Sequence, residues 1–262
     1  MIERLDDIPA APFPRPAARL AGGSSRGRFA VVIPVYNHAR NVEDVARRAL
    51  KLGFPVIAVD DGSTDETADI LRRVPGLHRL RHAVNSGKGA ALLTGFEAAA
   101  EVADWAITID ADGQHRPEEA ERLMATATEG PRGIVIGSRL GMVGRHVPWT
   151  SRFGRGFSNF WVRASGGAKL TDSQSGFRVY PLPEVFTLNV KARRFQFEVE
   201  VLAKAGWHGL PVREAPVSVD YHPGAPRISH FRPFVDFCRN SNTFSRLIFQ
   251  RIMVPRTLRK RW

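Results

Sequence analysis

The sequence predicts an α/β fold: a doubly wound, mostly parallel sheet with helices on both faces, followed by an amphipathic C-terminal helix. Three observations predict it. Apolar runs of strand length alternate with segments of helical period from Phe29 to Arg139, joined by short connections. The runs are apolar throughout rather than at every second residue, as strands covered on both faces must be. Their ends carry polar groups in series: Tyr36, Asp60 and Asp61, Asp110 and Asp112, then Arg139. In a parallel sheet those ends share one edge, outside which ligands bind.

Residues 1–28 are rich in Pro, Ala, Gly, Ser and Arg without a period, and are expected to form a disordered leader. The first strand runs from Phe29 to Tyr36, and Pro34, which lacks a ladder donor, places its end at a sheet margin. Asn41 is the expected N-cap of a helix over 42–52, whose apolar stripe is Val42, Val45, Ala49 and Leu52. A second strand, 56–60, ends in Asp60 and Asp61. Ser63-Thr-Asp-Glu66 then has the spacing of a capping box before a helix to about Val74. A short strand near Leu80 leads through Asn85-Ser-Gly-Lys-Gly-Ala90 to an Ala-rich helix. The fourth strand, Trp105 to Ile109, ends in Asp110-Ala-Asp112-Gly113. Pro117 opens the next helix at its favoured first position, and Gly133 to Arg139 is the fifth strand. Beyond it, the aromatic residues of 148–165 recur at helical spacing and belong to a core. Thr171 to Arg178 is a polar loop entering a short strand, Phe197 to Ala205 a helix bearing Glu198 and Glu200, and Val212 to Val219 a final strand. The main domain is thus expected over 29–222, with a basic amphipathic segment over 223–262.

The net charge of +12 is uneven: residues 227–262 hold nine Lys/Arg and one acid, Asp236, leaving only +4 for the rest. Charge therefore gives no reason to call the main domain nucleic-acid-binding, and no nucleic-acid partner is expected. The single cysteine, Cys238, excludes an internal disulfide framework and fits a reducing compartment. No stretch approaches the roughly 18 consecutive apolar residues of a spanning helix. The tail's arginines, alternating with Phe231, Phe234, Phe237, Phe244, Leu247, Ile248, Phe249, Ile252 and Met253, suit a helix lying in a membrane interface, a packed helix with a solvated face, or a contact with a membrane-protein partner. A cytoplasmic protein, peripheral on the cytoplasmic face of the membrane, is expected.

Two carboxylates at i and i+2, leaving an apolar strand end, repel each other unless a cation sits between them. Oxygen ligands suit Mg²⁺ or Mn²⁺, which also bind substrate phosphates, so Asp112 with Asp110 is the candidate metal pair. Other phosphate devices are missing. Gly87-Lys-Gly89 lacks the following Ser/Thr and the upstream glycine of a P-loop, and no Gly-x-Gly-x-x-Gly turn follows the first strand. A metal-bridged nucleotide diphosphate fits better. Asp60 or Asp61 would accept a base N–H, Tyr36 would wall the base, and Arg139 and Lys88 would offset negative charge, unless Lys88 is simply a flexible side chain at a helix start.

Ile33-Pro-Val-Tyr-Asn37, Val59-Asp-Asp-Gly-Ser-Thr-Asp65, Gly87-Lys-Gly89, Ile109-Asp-Ala-Asp-Gly-Gln114, Gly137-Ser-Arg139 and Asp172-Ser-Gln-Ser-Gly-Phe-Arg178 follow one another in this order. Together they resemble the family 2 glycosyltransferases of GT-A fold, especially the dolichyl- and polyprenyl-phosphate mannosyl- and glucosyltransferase branch, over residues 29–222. The resemblance implies an inverting, metal-dependent hexosyltransferase that uses a GDP- or UDP-hexose and a membrane-associated acceptor such as polyprenyl phosphate. It implies that Pro34, Tyr36, Asp60 and Asp61 line the nucleoside pocket, that Asp110 reaches the ribose or the metal, that Asp112 holds the metal, and that Arg139 meets the donor. Gln174, Ser175 and Gly176 fall in the family's acceptor-side loop. Asp172, at the start of that loop, is the candidate general base for a hydroxyl acceptor; alternatively it caps the loop backbone. Arg227 and Arg232 are the candidates for the late basic residues that clamp donor phosphates. The chain departs from the family pattern at His38, where Glu often follows Pro-x-Tyr-Asn. Two other function classes compete: a sugar nucleotidyltransferase, which normally has a Gly-rich activating loop where this chain has Asn37-His-Ala-Arg40, and a nucleotide-sugar-binding module without transfer activity.

Overall fold

The computed structural model describes residues 2–4, 27–139, 149–219 and 233–259. Strands β1 (Ile2–Arg4), β2 (Phe29–Val35), β3 (Val56–Asp60), β4 (His78–His82), β5 (Trp105–Thr108), β6 (Ile134–Arg139), β7 (Arg178–Pro181) and β8 (Val212–Val217) form one sheet in the order β1-β4-β3-β2-β5-β7-β6-β8. Strands β4, β3, β2 and β5 are mutually parallel, as are β6 and β8. The fifth predicted strand, β6, does not lie beside β5, because β7 inserts antiparallel between them. Hydrophobic period identifies a strand but not its neighbour, so this interruption was invisible in the sequence.

The doubly apolar strands are explained by two cores. Ala30 and Val32 of β2 face one, while Val31 and Ile33 face the other, the alternation that a pleated strand imposes. Helices α1 (Val42–Leu50), α2 (Thr67–Arg72) and α4 (Ala120–Thr128) cover the second core. Helices α3 (Lys88–Ala100), α5 (Trp149–Ala164) and α7 (Phe197–His208) cover the first, with α8 (Pro233–Met253) outside α5 and α7. Short α6 (Glu184–Thr187) and α9 (Arg256–Arg259) complete the helices among the described residues.

Several local expectations are corrected. Ile2–Arg4, in the expected leader, pairs with β4, whose outer edge offers free backbone donors and acceptors; residues 1 and 5–26 of the leader lie outside the described residues. Pro34 sits within β2 in register with Val59, but the ladder to β5 ends at Val32, so its missing N–H falls beyond the last pair. Asn41 precedes α1 without a side-chain cap, and its amide donates to the Asp112 carbonyl at 2.7 Å instead. Ser63 to Glu66 does not close as a capping box: α2 begins at Thr67, whose N–H donates to Asp65 at 3.0 Å. Pro117 opens a short 3₁₀ turn, Pro117–Glu119, before α4.

Close approach of α3 to the sheet depends on Gly95, where a Cβ would collide with a Val32 methyl and lie 3.3 Å from Val59. Gly95→Ala gains about 1 kcal/mol of helix propensity, but overpacking costs about 1–3 kcal/mol. The variant is expected to unfold at lower urea concentration than the parent, and a higher midpoint would refute that packing.

Candidate active site

Strands β2, β3, β5 and β6 deliver their carboxyl ends, and β7 its entry, to a single edge. The groups converging there are tied together by a small set of buried ion pairs. Lys88, on the first residue of α3, places its ammonium 2.6 Å from Asp110 and 2.7 Å from Glu198 of α7. Burial alone would lower the Lys88 pKa, but the two carboxylates outweigh it and hold the ammonium above its ordinary value. Burial likewise works against ionised Asp110, and Lys88 reverses the sign, holding Asp110 below the usual carboxylate range. Lys88 is therefore a fixed internal cation and not a flexible side chain. Gly176 stands against the Asp110 carboxylate where any Cβ would collide, and its carbonyl accepts from Thr108 Oγ1 at 2.7 Å.

Among the described residues Asp112 has no such partner. One carboxylate oxygen accepts from the Gln114 N–H at 3.0 Å, and Asn41 holds its backbone carbonyl. Burial, reinforced by the negative charge of Asp110, pushes its pKa up to about 6. Beside it His115 is buried against Phe177, ring centroids 5.2 Å apart, and its Nδ1 lacks a hydrogen-bond partner. Burial drives its pKa down to about 4, so the ring is neutral near pH 7. Among the described residues no three His, Cys, Asp or Glu side chains converge as a metal site. What the chain offers is a pair of carboxylates, one neutralised by Lys88 and one with its charge uncompensated. That pair fits a hard divalent cation whose remaining ligands are phosphate and water oxygens.

Arg139 and Asp172 form the second pair. The guanidinium grips the carboxylate through Nε at 2.6 Å and Nη2 at 2.8 Å, and the Arg139 backbone N–H adds a third bond at 3.2 Å. Burial raises the Asp172 pKa, but these bonds outweigh it and leave the carboxyl below its usual range. The reading of Asp172 as a general base is thereby corrected: a buried carboxylate with depressed proton affinity and both oxygens engaged is poorly suited to accept a proton. Its place is to aim Arg139. The Asp172 N–H itself is held by Glu214 of β8 at 2.9 Å.

The two acids at the end of β3 also divide. Asp61 accepts from Ser86 N–H at 2.9 Å and Gly87 N–H at 2.7 Å, and meets His82 Nδ1 at 2.7 Å. It is fully used in building the loop that precedes Lys88, which removes it as a base-reading group. Asp60 accepts from the Ser63 N–H at 2.9 Å, while its other oxygen lacks a hydrogen-bond partner, with Arg81 Nε 3.4 Å away. Pro34 is buried and Tyr36 half-buried, so Tyr36 is the wall available to a base. The loops after β2 and β3 are zipped by Asn37, whose Oδ1 accepts from the Thr64 N–H at 2.8 Å and whose own N–H donates to Ser63 Oγ at 2.9 Å.

On the loop before β7, Gln174 donates to the Gly154 carbonyl of α5 at 3.3 Å, and buried Ser175 Oγ has no hydrogen-bond partner. Arg178, fully buried, binds the carbonyls of Ser173, Ser175 and Glu198 and the Tyr180 hydroxyl, which fixes the loop's shape. Arg227 and Arg232 lie outside the described residues. Sequence reasoning missed the roles of Glu198, Asn41 and His115. Glu198 left a signal, since an acid on an otherwise apolar helix is seldom buried unless paired; Asn41 and His115 left none.

The profile of glycosyl transferase family 2 matches residues 30–181. The chain is 32% identical over 197 residues to an uncharacterised protein of Methanocaldococcus jannaschii, covering 73% of this chain and 81% of that one. It is 29% identical to the UDP-N-acetylglucosamine–dolichyl-phosphate N-acetylglucosaminyltransferase of Methanococcus voltae, over 73% of this chain and 85% of that one. It is 28% identical to the polyprenol monophosphomannose synthase of Mycolicibacterium smegmatis, over 73% and 77%. Among solved structures, glucosyl-3-phosphoglycerate synthase from Mycobacterium tuberculosis with Mn²⁺, UDP and glucosyl-3-phosphoglycerate superimposes with a TM-score of 0.66 at 20% identity, covering 87% of this chain and 81% of that one. The same enzyme with Mg²⁺ and UDP gives a TM-score of 0.63 at 20% identity, covering 87% and 80%. This likeness gives the fold, the GT-A architecture that the motifs implied.

An acid whose folded pKa lies above its unfolded value weakens the fold as pH rises, because the native state then holds an unfavourable charge. For Asp112 the window runs from about 4, the unfolded value, to about 6. Without metal, Asp112→Asn is expected to stabilise the protein at pH 7.5 by about 1–3 kcal/mol. The gain should vanish at pH 4, as read from denaturant melts at both values; an equal gain at both would show that Asp112 is not the strained group.

Proposed function

The chain belongs to glycosyl transferase family 2, and from that premise we propose that it transfers a hexose from a GDP- or UDP-hexose to a polyprenyl phosphate at the cytoplasmic face of a membrane, with inversion. The observation that carries the acceptor is the commitment of Asp172 to Arg139. A hydroxyl acceptor needs a base to take its proton. A lipid phosphate, with a second pKa of about 6, is already ionised near neutral pH. A site whose candidate base is locked into an ion pair suits an acceptor that brings its own charge. The relatives named for dolichyl-phosphate and polyprenol acceptors support the same choice.

In this reading Asp112, with Asp110, holds Mg²⁺ or Mn²⁺, which when bound neutralises the diphosphate leaving group. The rest is positioning and electrostatics by the chain's own residues. Lys88 keeps Asp110 ionised and adds positive charge at the same edge. Arg139, aimed by Asp172, faces the donor. Asp60, whose second oxygen keeps only the Arg81 ion pair, sits on the nucleoside side with the Tyr36 ring. Among the described residues no helix is long and apolar enough to cross a membrane; a peripheral association brings the site to its lipid acceptor.

The test is transfer from labelled UDP- and GDP-hexoses to a short-chain polyprenyl phosphate with Mn²⁺ present. A lipid-phosphate sugar of inverted configuration is expected, and activity on a hydroxyl acceptor alone would sink the proposal. Asp112→Asn should lower kcat by at least about 100-fold, the scale of losing an electrostatic group at a leaving charge. Asp172→Asn should act through Arg139, raising the donor KM several-fold without moving the acid limb of the pH profile. A loss of about 10⁴-fold in kcat at unchanged KM would instead return Asp172 to the role of base.

A further inference from the structure

Helix α8 has two apolar sides, and only one is covered. Phe244 and Leu247 are buried, Phe244 against Phe157 and Trp161 of α5 at ring-centroid distances of 6.4 and 6.3 Å. Roughly opposite them on the helical wheel stand Phe249, Ile252 and Met253, at i, i+3 and i+4, and these are 64%, 73% and 63% exposed. Leu258 of α9 follows at 45%. Of the six large apolar side chains exposed among the described residues, four therefore fall within ten consecutive positions. Single exposed apolar residues are ordinary; a run concentrated on one stripe is not.

The helix that carries this stripe is rigidly joined to the domain. Arg246 donates to Glu200 of α7 at 2.9 Å, a carboxylate that also accepts from the Ala192 N–H at 2.9 Å and meets Lys204 at 3.2 Å. Arg251 donates to the Ala164 carbonyl at 2.5 Å and the Arg163 carbonyl at 3.3 Å, where the end of α5 presents unsatisfied acceptors. These contacts leave the stripe bare, and two residues before Glu200 the same α7 presents Glu198 to Lys88.

We infer that this stripe is a docking surface for an anionic phospholipid bilayer. The occupant follows from charge: residues 227–262 carry nine Lys/Arg and one acid, which an anionic leaflet complements and a second copy of the same basic segment repels. Phe249, Ile252 and Met253 enter the headgroup–acyl boundary, and the segment's net positive charge draws it to the lipid phosphates. Because α7 links the docked helix to Lys88, docking fixes the height of the site above the surface. This rests on the proposed lipid-phosphate acceptor for its purpose, though not for its physical basis.

The test is sedimentation of the full chain with vesicles of phosphatidylcholine, with and without about one-third phosphatidylglycerol, a fraction that gives a strongly anionic surface. Binding to the anionic vesicles, weakened in 0.5 M salt by about tenfold or more through screening, is expected. The variant Phe249→Ser/Ile252→Ser/Met253→Ser should bind at least about tenfold more weakly with an unchanged melting temperature. Equal binding by the variant, or no vesicle binding by the parent, overturns the inference. So does a parent dimer that ignores vesicles and dissociates in the variant, which would assign the stripe to a second copy. Transfer to short-chain polyprenyl phosphate in detergent separates the two proposals. If it persists while vesicle binding fails, docking alone is wrong; if it fails while binding holds, the acceptor is wrong.

Discussion

A single ammonium group, that of Lys88, makes the rest of the site affordable in free energy. Asp110, Asp112, Glu198 and Asp172 all gather at one sheet edge with low exposure, and burying carboxylates without counter-charge is unfavourable by several kcal/mol each. Lys88 answers two of them at once, at 2.6 and 2.7 Å; Arg139 answers Asp172. Asp112 is left over, and the consequence is a pKa near 6 and an unmet demand for positive charge. Asp112 is thus singled out by subtraction: among the described residues its neighbouring acids already have their partners.

The supports of Lys88 extend through the fold. Asp61 organises the Ser86–Gly87 backbone from below, and Ala90 donates to the Arg193 carbonyl at 2.8 Å from above. Gly87, at φ +103°, stands where a Cβ would lie 2.5 Å from that same carbonyl, so the start of α3 admits no side chain there. Glu198 and Glu200 then connect the site, through one helix, to the C-terminal helix and its exposed stripe. Buried polar networks of this kind hold geometry only when every member is satisfied, and these are.

Legibility followed the range of the signal. Strands β2, β3, β5 and β6 and the helices between them were readable because apolar period is a local property. That Asp110, Asp112 and Arg139 meet at one edge was readable because strand ends in a parallel sheet share an edge. The pairing of Asp172 was not legible, since its carboxyl is held by a guanidinium 33 residues earlier in the chain. Asn41 looked like a cap because capping is the commonest local use of Asn before a helix, and it serves Asp112 instead. The tail's three alternatives were resolved only in part: Phe244 and Leu247 pack, while Phe249, Ile252 and Met253 remain outside.

By itself the sequence determined the α/β class, the two-faced apolar strands, the convergence of acids at one edge and the basic tail, all of which depend on residue type and spacing along the chain. Only the tertiary structure decided which acid is paired. Asp110 and Asp112 are near-identical in sequence context, Asp60 and Asp61 likewise. What separates each pair is the distance to a charge or donor from another element: Lys88 for Asp110, the Ser86 and Gly87 amides for Asp61. Electrostatic interaction depends on separation in space and on burial, and neither is written in the order of residues.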